Sequence, residues 1–156
     1  MNPNVTLNCN SPLTAKGTTT KVQNYANQSY GNITLKQATA YSSNTGYIQV
    51  AEAIGNNKIM SLVKKLGIDP AKDNIEDVPV MTLGTGSISP LEMASAYATF
   101  ANGGYYRQPI AITEIDSRTG SVLYQHTDNP TQVLTEGEAA AVTDVLSGVM
   151  QGSGTG

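Results

Sequence analysis

The spacing of hydrophobic residues changes near Thr34 and divides the chain into a polar N-terminal stretch and a region of helical pattern. Residues 1–31 have almost no apolar periodicity and are rich in Asn, Thr, Ser and Gly, a composition typical of loops. Beyond them, apolar side chains recur every three or four positions, as on one face of an α-helix. We therefore predict irregular or extended structure, with little to bury unaided, for residues 1–31, and a helical lobe for residues 32–104.

Three short motifs predict where helices begin, because each pairs a Ser or Thr with a Glu or Gln three residues later, the pattern of a capping box. They are Thr34-Leu35-Lys36-Gln37, Ser89-Pro90-Leu91-Glu92 and Thr135-Glu136-Gly137-Glu138. Glycines that follow apolar runs predict where helices end. The resulting helices cover about residues 34–42, 47–55, 59–67, 89–103 and 135–151.

The fourth of these helices is expected to be central in the lobe. Several side chains on one of its faces are small, which permits close approach of a neighbouring helix. That face consists of Leu91, Ala94, Tyr97, Ala98 and Ala101. We therefore expect these side chains to pack against other elements.

Residues 105–127 alternate apolar and polar side chains on both sides of the sequence Ser117-Arg118-Thr119-Gly120, which predicts a β-hairpin. At 156 residues the chain suits one domain with a sizeable core. The fold class is therefore α+β and predominantly helical.

Composition excludes several kinds of partner and site. The net charge is −3, from 9 Lys and Arg against 12 Asp and Glu, and no basic stripe favours nucleic acid. With one cysteine, Cys9, and one histidine, His126, we expect no internal disulfide, metal site or cofactor. No apolar run reaches the roughly 18 residues of a membrane span, so we expect a soluble chain without a membrane segment.

The polar run Tyr41-Ser42-Ser43-Asn44-Thr45 separates two helical patterns and carries the candidate chemistry. Ser43, Asn44 or Thr45 can cap the second helix, since Ser, Thr and Asn all accept hydrogen bonds from first-turn amides. The same hydroxyl and amide groups can instead face a reacting molecule. The run itself is compatible with both interpretations.

The segments around this run, taken in order, resemble the transpeptidase domain of penicillin-binding proteins, particularly the bifunctional peptidoglycan synthases. The resemblance extends from about residue 22 to the last residue. The segments that carry it are GNITLKQATAYSSNTGYIQVAEAIG, KKLGI, LGTGSISPLEMASAYATFANGGYYRQPIAITEI, TGSVL and VLTEGEAAAVTDVLSGVMQGSGTG. It implies an incomplete transpeptidase fold of the penicillin-binding protein and serine β-lactamase type, formed by a helical lobe and a hairpin.

In that family three motifs carry catalysis: Ser-x-x-Lys with the nucleophile, Ser-x-Asn and Lys-Thr-Gly. The second corresponds to Ser42 and Asn44, so the resemblance implies that these two are catalytic. The parent protein would be a D,D-transpeptidase at the extracytoplasmic face of a bacterial membrane. It would cross-link peptidoglycan stem peptides through an acyl-serine intermediate and would bind β-lactams.

The other two motifs are missing where the family has them. Ser61-Leu62-Val63-Lys64 spells Ser-x-x-Lys but follows the Ser-x-Asn, on a helix where we expect Leu62 and Val63 to face a core and Lys64 to face solvent. Arg118-Thr119-Gly120 falls in the predicted hairpin turn, where Gly supplies a positive φ. The helix over residues 135–151 would lead to a Lys-Thr-Gly strand that is absent from the 156 residues. We therefore expect an internal portion of the domain that is inactive alone.

A second hypothesis is that the chain is a stand-alone, non-catalytic binding or scaffold module derived from the helical lobe. A reading frame that continues past Gly156 into a Lys-Thr-Gly would favour the first hypothesis, and a stop codon there would favour the second. In either case we expect the hairpin to expose strand edges, and self-association of the chain or partial disorder of residues 1–31 to follow.

Overall fold

A computed structural model of the chain describes residues 2–152 and 154–156 and shows a helical lobe with small sheets at its margins. The helices are α1 Leu35–Ala40, α2 Asn44–Ile54, α3 Asn56–Lys65, α4 Pro90–Ala101 and α5 Glu136–Ser147. The strands are β1 Thr6–Asn8, β2 Leu13–Thr14, β3 Lys21–Val22, β4 Asn32–Thr34, β5 Tyr105–Tyr106, β6 Glu114–Asp116, β7 Val122–Gln125 and β8 Thr131–Gln132. Turns of 3-10 helix cover Tyr25–Asn27, Pro79–Leu83 and Gly148–Met150.

All three predicted capping boxes are confirmed. Thr34 begins α1, Ser89 begins α4 and Thr135 begins α5, and in each case the side chain accepts a hydrogen bond from the backbone N–H three residues on. The Gln or Glu at that third position accepts in return from the backbone N–H of the cap. Local sequence therefore fixes the start of these helices without help from the rest of the fold.

The predicted stop at Gly67 is also confirmed, and it has a second cause. Gly67 has a φ of 84° and ends α3 in a Schellman arrangement, with its N–H donating to the Lys64 carbonyl and the Ile68 N–H donating to the Val63 carbonyl. The ring of Tyr106 lies against the Gly67 backbone where a side chain would otherwise project. Glycine is therefore required here both for its conformation and for the close approach of Tyr106.

The strands form four antiparallel pairs, β1–β4, β2–β3, β5–β8 and β6–β7, and the described residues contain no larger sheet. Three of the strands lie within residues 1–31. Leu7 on β1 and Cys9, which follows this strand, form a core with Ala38 and Val50. This stretch has little to bury unaided, and its buried residues depend on contacts with the rest of the fold. Its apolar residues are too few for a periodic pattern, but pairing with β4 brings them onto α1 and α2.

The hairpin covers fewer residues than the predicted range 105–127. Only β6 and β7 form it, with Ile115 opposite Tyr124 and an irregularity after Ile115, and Gly120 turns the chain with a φ of 84°. Tyr105 and Tyr106 pair instead with β8, through Gln132 and Thr131 respectively. The alternating pattern of residues 105–127 thus belongs to two different strand pairs, because β5 packs against the end of α4 and pairs with β8.

The buried face of α4 differs from the predicted one. Ala96 and Thr99 are buried, whereas Leu91 and Tyr97 are 64% and 52% exposed. The α4 sequence is apolar on nearly all sides, so its periodicity does not select one face. Similarly Leu62 on α3 is exposed, and the core contacts of that helix come from Val63 and Leu66.

Helix α2 begins at Asn44, one of the two candidate site residues. Ile48 and Ala51 are fully buried on it, and Gly46 in its first turn meets Cys9 so closely that an added Cβ would lie 2.9 Å from the Cys9 Sγ. The N-terminal end of α2 is therefore held firmly against the segment that follows β1. Close packing therefore anchors the α2 end of the turn that enters this helix.

Candidate functional site

The turn between α1 and α2 ends the first helix in a Schellman arrangement. The Ser42 N–H donates to the Thr39 carbonyl at 3.0 Å and the Ser43 N–H donates to the Ala38 carbonyl at 2.8 Å. Ser42 takes the left-handed position of this motif, with a φ of 53°, where Gly is the usual residue. An L-residue with a side chain is held in a costly conformation here, which is typical of functional positions.

Ser43 caps the second helix, so capping and candidate chemistry fall on different residues. Its side chain accepts from the Gly46 N–H at 3.2 Å, and Ser43 is fully buried. Asn44 is the first residue of α2 and its side-chain amide donates to the Gln23 carbonyl at 2.8 Å. Ser42 is exposed and Asn44 is half-buried, which leaves both groups accessible from solvent.

Ser42 and Asn44 both border two open cavities. The smaller, of about 210 Å³, also has Tyr47 and Thr82 in its wall. The larger, of about 680 Å³, is lined by aromatic rings. Its lining residues besides Ser42 and Asn44 are Tyr25, Gln28, Tyr30, Tyr41 and Thr155. A molecule in either cavity would contact the two candidate side chains.

A buried asparagine, Asn24, lies directly beneath this turn and carried no signal in the sequence. It is 3% exposed and accepts hydrogen bonds from Ser43 and Thr45, the neighbours of Asn44 on either side. An isolated Asn in a polar loop segment looks like a solvated turn residue, so only its tertiary contacts identify it. Nearby, burial raises the pKa of the Cys9 thiol, and a hydrogen bond with Ser43 opposes part of that rise.

The two sequences that imitate the missing motifs lie apart from this turn. Ser61 and Lys64 are exposed on α3, and Arg118-Thr119-Gly120 forms the tip of the β6–β7 hairpin, where the Gly120 N–H donates to the Ser117 carbonyl. Within residues 2–152 and 154–156, no three His, Cys, Asp or Glu side chains are grouped to hold a metal ion. In the same part of the chain, none of the helices has the length and apolar character needed to cross a membrane.

Solved structures show the fold to which this arrangement belongs. Penicillin-binding protein A from M. tuberculosis, as an imipenem acyl-enzyme complex, superimposes with a TM-score of 0.83 at 18% identity, over 95% of this chain and 39% of that one. Penicillin-binding protein 1A from Haemophilus influenzae gives a TM-score of 0.82 at 19% identity, over 97% and 27%. At such low identity the likeness concerns the fold alone. The fold is that of a penicillin-binding protein transpeptidase domain, present here in part.

Sequence comparison establishes the family. Residues 1–156 match the family described as penicillin binding protein transpeptidase domain. Penicillin-binding protein 2D of Bacillus subtilis is 35% identical over 139 residues, which are 88% of this chain and 20% of that protein. Penicillin-binding protein 1A of Streptococcus oralis is 33% identical over 151 residues, 94% of this chain and 24% of that protein.

The chain therefore belongs to the penicillin-binding protein transpeptidase family. It spans only part of the length of the curated relatives that it matches, for example 14% of penicillin-binding protein 1A of Pseudomonas aeruginosa and 24% of the Streptococcus oralis protein.

Proposed function

We propose that the chain is part of a bacterial D,D-transpeptidase that cross-links peptidoglycan stem peptides through an acyl-serine intermediate and is acylated by β-lactams. Ser42 and Asn44 are the second of its three catalytic motifs. The observation that carries this proposal is the turn itself, which holds an exposed hydroxyl in a left-handed conformation beside an accessible amide, at the mouths of two cavities.

The chemistry assigned to this turn is proton transfer and positioning. In the reaction, a serine hydroxyl gives its proton to the catalytic lysine while its oxygen bonds to the carbonyl carbon of the penultimate D-Ala, the C–N bond breaks, and the departing D-Ala amine takes up a proton. An amine of a second stem peptide then attacks the acyl carbon and displaces the serine oxygen, which regains a proton. The Ser42 hydroxyl can both donate and accept, so it can pass that proton from a catalytic lysine to the leaving nitrogen.

Asn44 would hold the reacting groups in place. One N–H of its side chain is used by the Gln23 carbonyl. The other N–H and the amide oxygen can then bind a substrate amide and the catalytic lysine.

The nucleophile and the Lys-Thr-Gly would be supplied by parts of the domain outside these 156 residues, so the chain alone would be inactive. An apolar groove of about 360 Å³ between α1, α2 and α5 supports this, because further parts of a larger domain would bury it. Its wall includes Leu35, Val50, Ile54, Val142, Val145 and Leu146. The protein would act on the outer face of the cytoplasmic membrane, where its substrate lies.

Labelling with a fluorescent penicillin tests the proposal. The full-length protein that contains this chain should form a covalent adduct that survives denaturing electrophoresis, and the separate 156-residue chain should form none. An adduct on the separate chain would overturn the inactivity, and the absence of an adduct on the full-length protein would favour the non-catalytic binding module. Co-expression of the chain with the remainder of the domain should restore labelling if the groove receives that remainder.

A further inference from the structure

The oxygen of the Asn24 side chain binds both residues that flank Asn44. It accepts from the Thr45 backbone N–H at 3.1 Å, from the Thr45 hydroxyl at 3.2 Å and from the Ser43 hydroxyl at 3.2 Å. Ser43 and Thr45 are fully buried, and Asn24 is 3% exposed. Because water cannot replace these bonds, the amide oxygen determines where the first residues of α2 lie.

The nitrogen of the same amide binds the surrounding scaffold. It donates to the Cys9 carbonyl at 3.0 Å and to the Gln28 carbonyl at 2.9 Å. Both N–H groups are therefore used, and the amide has a single orientation, with its oxygen toward the turn and its nitrogen toward the segments on either side of residue 24. Asn24 thus connects the turn to the end of β1 and to the 3-10 turn at Tyr25–Asn27.

Gln23, the residue before Asn24, contacts Asn44 itself. The Gln23 carbonyl accepts from the Asn44 side chain at 2.8 Å, so residues 23 and 24 together bind all of residues 43–45. Ser42 precedes them and is fixed by the Schellman bonds of the α1 end. A shift of Ser43 would therefore move both Ser42 and Asn44.

We infer that Asn24 is a positioning residue for the transpeptidase reaction, acting through Ser43 and Thr45 to hold the Ser42 hydroxyl and the Asn44 amide in their reactive places. The inference rests on the proposed function of those two residues. Displacement of a catalytic group by about 1 Å can lower a rate about a hundredfold. Loss of the Asn24 amide should therefore reduce acylation far more than its effect on stability explains.

The matched control is Gln49, which also connects α2 to β1 through one amide nitrogen. It donates to the Asn8 carbonyl and to the Thr45 carbonyl, both at 2.8 Å, and has no hydrogen bond to the side chain of Ser43, Asn44 or Thr45 among the described residues. Asn24→Ala and Gln49→Ala are made in the full-length protein, and the second-order rate constant of acylation by a fluorescent penicillin is measured together with the melting temperature. We expect a loss of about tenfold or more for Asn24→Ala and less than about twofold for Gln49→Ala.

A second measurement separates positioning from a general structural effect. In a background with Ser42→Gly and Asn44→Ala, both groups to be positioned are gone, so Asn24→Ala should lower the residual acylation by less than about twofold further. Thr45→Val, which keeps the shape of the side chain and removes one of the three donors to the Asn24 oxygen, should fall between wild type and Asn24→Ala and serves if the Ala variant does not fold.

Three outcomes decide the matter. Acylation of Asn24→Ala within about twofold of wild type, or an equal loss in the double-variant background, would overturn the positioning role while leaving the proposed function intact. Failure of the wild-type full-length protein to be acylated would overturn the proposed function itself, and the inference with it.

Discussion

The side-chain amide of Asn44 donates a hydrogen bond to the Gln23 carbonyl oxygen at 2.8 Å, so a group assigned to substrate binding is also tied to the scaffold. Because a carbonyl accepts and does not donate, it fixes which end of the amide faces Gln23. The amide oxygen is left pointing away from Gln23, where a lysine or a substrate N–H can reach it.

Replacement of Asn44 by Asp should therefore abolish more than one contact. The carboxylate would face the Gln23 carbonyl without a donor, and we expect acylation of the full-length protein by a fluorescent penicillin to fall about tenfold or more. Asn56→Asp is the matched control, because Asn56 is likewise the first residue of a helix and an acidic side chain is favourable at that position in either helix. Equal acylation of the two variants would contradict a role for Asn44.

Ser42→Gly should separate stability from activity. Glycine removes the cost of a left-handed φ, so the free energy of unfolding should stay level or rise by up to about 1 kcal/mol, while loss of the hydroxyl should lower acylation at least about tenfold. Asn74→Gly, at a φ of 52° in a loop that lines neither cavity at Ser42, should leave acylation unchanged. A Ser42→Gly protein that is acylated at the wild-type rate would contradict the proton-transfer role.

The contact between Gly67 and Tyr106 can be measured against a glycine with the same conformation. Gly67 and Gly120 both have a φ of 84°, but an added Cβ at Gly120 meets nothing within 4 Å, whereas at Gly67 it meets the Tyr106 ring. Gly120→Ala should cost about 1–2 kcal/mol in urea unfolding, and Gly67→Ala about 1–3 kcal/mol more. In a Tyr106→Ala background, Gly67→Ala should cost only the conformational part of about 1–2 kcal/mol, because the ring that the new Cβ would meet is gone.

Glu92 should make stability depend on pH in the acid range. Hydrogen bonds from Lys72 and then from Ser89 lower the pKa of Glu92 from 4.5 to about 2. A lowered pKa in the folded state means that the stabilisation is complete above about pH 5 and is lost as the pH falls toward 2. Glu92→Gln should therefore melt below wild type at pH 7 and approach it near pH 2.

Glu138→Gln is the matched control for this effect. Hydrogen bonds from the backbone and then the side chain of Thr135 lower the pKa of Glu138, and no lysine among the described residues forms an ion pair with it. The difference in melting temperature between wild type and Glu92→Gln should shrink in high salt, because the Lys72 side chain is exposed and its charge is screened. The corresponding difference for Glu138→Gln should change less. A Glu92→Gln difference that is constant from pH 7 to pH 2 would contradict this assignment.

The hairpin should drive self-association of the separate chain. All residues of β6 and β7 are exposed, including Val122 at 57% and Leu123 at 68%. Leu123→Lys should lower the apparent mass in sedimentation, because it removes apolar surface and adds charge to an open edge. Gln125→Lys adds the same charge without removing an apolar side chain and should have a smaller effect, and a wild-type chain that sediments as a monomer would contradict the prediction.

Local signals in the sequence predicted those features that depend on a few neighbouring residues. The capping boxes at Thr34, Ser89 and Thr135, and the stop at Gly67, were confirmed because a cap or a left-handed glycine forms its hydrogen bonds within one turn. The order of motifs along the chain was sufficient to indicate the family, which the comparisons confirm.

What the sequence determined by itself is therefore the starts of α1, α4 and α5, the end of α3, the fold class and the family, while the assignment of Ser42 and Asn44 remains a prediction. Tertiary structure alone decided which face of α4 is buried, that Tyr105 and Tyr106 pair with β8, and that Asn24 lies beneath the Ser42 turn. The physical reason is the range of the interactions. A cap is satisfied by residues three positions away, whereas Asn24 acquires its role from hydrogen bonds to Cys9 and Thr45, 15 and 21 positions distant.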